Sequence, residues 1–128
     1  MKRYILFFVF FGCLLSETLQ AQPKMDFENK TVKIPKTKEG ELIKINYVFT
    51  NTGNQPLIIS ETKVACSCTK VKFPTHPVLP QQTDTVKVTF DTNRKIGYQD
   101  RIIEIYANTP KSPEKIRFKV MIDNSKNE

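Results

Sequence analysis

From residue 42 to residue 50 the chain reads Leu-Ile-Lys-Ile-Asn-Tyr-Val-Phe-Thr, with Ile43, Ile45, Tyr47 and Phe49 at alternate positions and Lys44, Asn46 and Thr50 on the other parity. Successive side chains of an extended chain point to opposite faces, so this alternation predicts a strand with one buried and one wet face. The pattern returns at Thr83–Thr92, where Val86, Val88 and Phe90 alternate with Lys87 and Thr89, and at Ile116–Ile122, where Ile116, Phe118, Val120 and Ile122 share a face. Weaker strands are predicted from Phe27, at Thr31–Ile34, at Leu57–Ser60, through Val64–Phe73 and at Arg101–Ala107. Turn chemistry separates them: Pro35 and Gly40, then Asn51-Thr52-Gly53-Asn54 with its cheap left-handed conformations, then Pro56, the loop of Pro74, Pro77 and Pro80, and Asn93–Gly97. No stretch carries helical periodicity. The expected fold is all-β, a seven-stranded immunoglobulin-like β-sandwich over residues 22–123, with a polar, frayed tail at 124–128.

The N-terminus sets an expectation of export. Lys2 and Arg3 precede an apolar run from Tyr4 to Leu15, which Ser16 and Glu17 cut short of the roughly 20 residues a membrane span needs. Residues 1–21 read as a signal peptide cleaved after Ala21, making the protein periplasmic or secreted with no transmembrane anchor. A rival reading takes Phe-Phe-Gly-Cys as a lipoprotein site, with tethering through Cys13. Removal of residues 1–21 from 128 leaves 107, enough for one sandwich and too few for two domains. Lys2, Arg3 and Glu17 leave as well, which takes the net charge from +7 to +6. The remaining lysines are spread along the chain and interleaved with apolar residues, as in Val86-Lys87-Val88 and Phe118-Lys119-Val120. That is the wet face of a sheet rather than a patterned patch, so nucleic acid is not an expected partner; weak attraction to acidic polymers or anionic headgroups stays open.

Candidate chemistry is confined to Cys66, Cys68 and His76. In a regular strand the two cysteine α-carbons would lie about 6.6 Å apart, near the upper limit for a disulfide, so an unstrained bond requires the segment to bend. Three readings stand open: buried cysteines that pack as small apolar groups, a redox-sensitive pair, or two thiolates holding a soft metal with His76 as third ligand. His76 lies between Thr75 and Pro77 with no acidic partner close in sequence, and reads as an exposed loop histidine. Asp84 and Asp91 fall on opposite parities at the ends of one strand and read as turn residues. With four glycines in the chain and no phosphate-binding loop, no enzyme activity and no cofactor are expected.

The run Phe49-Thr50-Asn51-Thr52-Gly53, then Pro56-Leu57 and Ile59, then Cys66-Ser67-Cys68-Thr69, followed by Pro80, Phe90-Asp91-Thr92, Gly97 and Asn108, resembles the bacterial family known as domain of unknown function 1573, over roughly residues 27–122. The family is similar to the immunoglobulin-like domains of major sperm protein and of ciliary and centrosomal scaffolds, which implies a seven-stranded sandwich and an adhesive or scaffolding role. This chain departs from the family at Ser67 and Gln81, where glycine is usual. Ser67 disfavours a sharp bend between the cysteines, and Gln81 implies a different turn after Pro80. The expected function is a non-enzymatic binding or scaffold module with a protein or cell-envelope partner, its contact edges near Phe27 and Phe118. The alternative is a thiol redox or soft-metal protein using Cys66 and Cys68.

Overall fold

The computed structural model describes residues 19–125; most of the expected signal peptide, with Cys13, and the last three tail residues lie outside it. Among the described residues nine strands form two sheets: β1 (Met25–Phe27), β2 (Thr31–Lys33), β3 (Thr37–Lys38), β4 (Leu42–Asn51), β5 (Ile59–Val64), β6 (Thr69–Lys72), β7 (Thr83–Asp91), β8 (Gly97–Ala107) and β9 (Glu114–Asp123). One sheet runs β1-β4-β7-β6, and the other β2-β9-β8-β5 with β3 also paired to β9. Among the described residues no helix is long and apolar enough to cross a membrane.

The count exceeds seven because the N-terminal strand region is divided between both sheets. β1 pairs antiparallel with β4, placing Phe27 opposite Phe49, and the chain then crosses so that β2 and β3 run parallel to β9. Pro35 separates β2 from β3 because it has no N–H to give the ladder. The other departure is at Val64–Phe73, expected as one extended piece. The chain leaves one sheet after Val64, turns through residues 65–68, and joins the other sheet as β6. In addition β8 begins at Gly97, four residues before the expected Arg101. Its first half puts the polar Gln99 and Arg101 on the inward parity, which inverts the alternation that marks a strand in sequence.

The inward residues of both sheets form the core, as the alternation predicts. Phe90 from β7 and Phe118 from β9 meet with ring centroids 5.1 Å apart, and neither is exposed to solvent. Beside them Tyr47 on β4 donates its hydroxyl across the sandwich to the Arg117 carbonyl at 2.8 Å, and burial pushes its phenol well above the usual tyrosine range. Val78 in the proline loop also enters the core, bridging to Leu57.

Each end of the sandwich is closed by a buried polar side chain. At one end Asn51 donates from Nδ2 to the carbonyls of Gln55 (2.7 Å) and Val78 (2.9 Å), while its Oδ1 accepts from Gly53 N (3.0 Å) and Lys24 N (3.2 Å). At the other, Thr92 Oγ1 donates to the Glu41 carbonyl at 2.6 Å. Asn124, expected at the start of a frayed tail, donates to Glu39 Oε2 at 2.7 Å and the Lys95 carbonyl at 2.9 Å, so it belongs to the folded body.

Asn51→Ala removes all four side-chain bonds from a site closed to water, and orphaned buried backbone groups cost about 1–3 kcal/mol each. A loss of about 3 kcal/mol in urea unfolding is expected. A change under about 1 kcal/mol would mean that the loops rehydrate and that Asn51 does not hold them.

Candidate binding surfaces

The residues of the family pattern are largely occupied with architecture. Phe49, Leu57 and Phe90 lie fully within the core, Thr69 is buried beside them, and Asn51 ties three segments together. Gly53, expected to supply a left-handed turn, does not adopt a positive φ. Its role is close approach: a Cβ there would sit 2.6 Å from Lys24 N and 2.7 Å from Pro23 C, and nearer still to the Gln22 carbonyl. Asn108 clamps the loop before β5, accepting from Ile58 N at 2.8 Å and donating to the Pro56 carbonyl at 3.0 Å. Gly97 does take the left-handed conformation, with φ of 71°. So does Gln81, at 66°, which explains why glycine suits that position, and its N–H donates to the Asn51 carbonyl at 2.7 Å.

Cys66 and Cys68 are joined in a disulfide, with α-carbons 5.1 Å apart rather than the spacing of an extended strand. The bend comes from the crossing between sheets: Thr69 N donates back to the Cys66 carbonyl at 3.1 Å and Cys68 N approaches Cys66 Sγ at 3.1 Å. Ser67 does not impede it, because the bend requires no positive φ at that residue. His76 is not brought to the pair. Its Nε2 lies 3.0 Å from Asp84 Oδ2, a partner eight residues on in sequence, at the Asn51 end of β7. The cysteines lie at the other end, where Asp91 N donates to the Cys68 carbonyl at 2.9 Å, about 20 Å away along β7. Among the described residues no three His, Cys, Asp or Glu side chains converge as a metal site. The three-ligand soft-metal arrangement is thus corrected, as is Asp84 as a simple turn residue.

The sheet edges also differ from expectation. β1, with Phe27, is an edge strand, but β9, with Phe118, lies between β8 and β2, so its backbone is paired on both sides. A different edge is open. The last β5 pair is Val64 with Ile103, and from Gly97 to Ile102 β8 has, among the described residues, no strand partner on the side away from β9. Beside this half-edge are the exposed side chains of Val64, Ile96, Tyr98 and Ile102. A recess of about 240 Å³ lies between it and the crossing, with Ala65, Cys66, Thr69 and Arg101 in its wall. The Arg101 guanidinium stacks over Phe90 at 5.6 Å and donates from Nη2 to Gln99 Oε1 at 2.6 Å, but its buried Nε–H has no partner. On the outer face Asp100 is held by a bidentate pair with Arg117, whose hydrogen bond lowers the carboxyl below the usual carboxylate range.

The lysines, which look unpatterned along the chain, are not evenly placed in space. Register collects Lys44, Lys70, Lys72 and Lys87 on the outer face of β4, β7 and β6.

Two measurements check these readings. A depressed folded pKa makes the Asp100 contribution complete above the ordinary aspartate pKa and lost as pH falls through the lower folded value. An NMR titration is therefore expected to show Asp100 protonating below the ordinary aspartate range, and Arg117→Gln moving it back up toward that range; an unmoved Asp100 in that variant would remove Arg117 as the cause. Reduction of Cys66–Cys68 opens a very short loop, so a stability loss of about 1–2 kcal/mol with a domain that stays folded is the expected result. Unfolding of the whole sandwich on reduction would assign the bond a larger structural part.

Comparison with solved structures finds the same fold in proteins of low identity. An ASH/PapD-like domain of human CEP192 superposes with a TM-score of 0.59 at 16% identity, over 85% of this chain and 90% of that one. A protein of unknown function from Porphyromonas gingivalis W83 gives 0.65 at 18% identity, over 80% of this chain and 48% of that one. The E. coli chaperone DraB gives 0.55 at 9% identity, over 80% of this chain and 55% of that one. This chain thus spans about half the length of the latter two proteins. A search of curated protein sequences returns no match. The profile of the family described as protein of unknown function DUF1573 matches residues 25–122, from the first residue of β1 to the last but one of β9, and the chain belongs to that family.

Proposed function

We propose that this chain is an exported, non-catalytic binding module that accepts an extended segment of a partner protein as an added strand along Gly97–Ile102 of β8. The observation that carries the reading is the half-open edge: β5 covers β8 only from Ile103 onward, leaving a length of about 20 Å of strand backbone without a neighbour on that side. An added strand supplies the missing hydrogen bonds through its own backbone, and alternate side chains then give selectivity. Here the outer-face positions would lie against Tyr98 and Ile102 and favour apolar residues, while the inner-face positions would meet Gln99 and Arg101. Export rests on the leader-like residues 1–21 and places the partner in the cell envelope or outside it.

A thiol-exchange function is the competing reading, because Cys66 lines the same recess and is partly accessible. Selection of displayed ten-residue peptides on the purified protein tests both. Alternating apolar and polar or acidic sequences are expected, with hydrogen-exchange protection gained at residues 97–102 and affinity lost by about tenfold in Ile102→Lys. Backbone N-methylation of a selected peptide would abolish binding if a strand is added. Undiminished binding by the methylated peptide, or protection elsewhere, would sink the edge assignment. Binding that requires a cysteine in the peptide and disappears on reduction would favour thiol exchange.

A further inference from the structure

The outer face of the other sheet carries a separate arrangement. Lys44 on β4 is in register with Thr89 on β7, which is in register with Lys70 on β6; in the next outward row Asn46 is in register with Lys87, and Lys87 with Lys72. The four lysines are thus gathered in two adjacent rows, with strands about 4.8 Å apart and residues about 6.8 Å apart along each strand. All four are exposed, and among the described residues none forms an ion pair. No acidic side chain occupies either row; Asp91 lies beyond the first, and Val48 with Thr85 follow the second. Between the lysine stems runs an open groove of about 500 Å³, with Asn46 and Thr89 among its walls.

Like charges held this close repel one another, and an external polyanion relieves that repulsion while releasing its own counterions. The neighbouring side chains narrow the class of polyanion. Asn46, Thr85 and Thr89 offer neutral donors and acceptors suited to hydroxyl groups. There is no aromatic residue in the two rows on which a base could stack, so a single-stranded nucleic acid has no platform. A groove also suits a linear chain better than the plane of a bilayer, and the rows carry no apolar side chain to insert among lipids. Ammonium groups act as point charges and do not demand the planar bidentate geometry of arginine, which fits carboxylates repeated along a flexible polymer.

We infer that the outer face of β4, β7 and β6 binds an acidic polysaccharide, with Lys44, Lys70, Lys72 and Lys87 neutralising its carboxylates. The face is on the sheet opposite to β8, so this assignment stands apart from strand addition, and Ile102→Lys leaves it unchanged.

Polygalacturonate, a uronic-acid homopolymer, is the probe, with neutral dextran, a thymidine oligonucleotide and phosphatidylserine vesicles as comparisons. Binding to polygalacturonate that weakens as salt rises, and no binding to dextran, is expected. The variant with Lys44, Lys70, Lys72 and Lys87 all changed to Gln should lose about tenfold or more in affinity, because four neutralised charges leave the contact. A control with Lys24, Lys33, Lys111 and Lys115 changed to Gln has the same net charge and should stay within about twofold, since those exposed lysines lie off this face. Equal losses in the two variants would reduce the effect to net charge and overturn the site. Absence of polygalacturonate binding, or tighter binding to the oligonucleotide or the vesicles, would overturn the polymer class. If the face variant does not fold, lysine acetylation of the unaltered protein decides: polygalacturonate must protect these four lysines, and protection elsewhere refutes the assignment.

Discussion

Phe90 and Phe118 approach from opposite sheets until their rings are in contact, and that contact sets the separation at which the remaining core side chains can close. Both rings are fully removed from water, and each aromatic side chain buried in this way contributes on the order of 2–3 kcal/mol. Tyr47 reinforces the same plane by bonding to the carbonyl of Arg117, the residue before Phe118. A sandwich clamped at its middle still has two ends where backbone groups must be satisfied. Asn51 serves one and Thr92 the other, each by side-chain bonds to loop backbone.

That frame accounts for most of the family pattern without invoking chemistry. Phe49, Leu57 and Phe90 fill the core; Asn51, Gly53 and Asn108 hold loops; Gly97 and Gln81 occupy left-handed positions. Residues committed to holding the fold are not available to distinguish one partner from another. Recognition falls instead to the edges and the outer faces, where this chain has a half-open strand and a gathered set of lysines.

The crossing at residues 65–68 links these features. By taking the chain from β5 to β6 it leaves the first half of β8 uncovered, and it places β6 where Lys70 and Lys72 complete the basic rows. The disulfide lies within this turn, so it fixes the crossing itself and forms one wall of the recess beside Arg101.

Alternation along the chain determined by itself which residues of β4, β7 and β9 are buried, because the period of two is a local property of any extended backbone. The prolines were likewise legible, since each restricts its own dihedral angles, whereas the Asn51–Asn54 turn was legible in place but not in mechanism, because no residue in it takes a positive φ. Which strands become neighbours is a different matter, since it depends on contacts between residues tens of positions apart. Only tertiary structure placed the N-terminal strand in both sheets, buried β9 between neighbours, and set Lys44 beside lysines more than twenty residues distant. It also converted Gly53 from a turn residue into a point of close approach to the segment at Pro23, a contact for which the local sequence carries no signal.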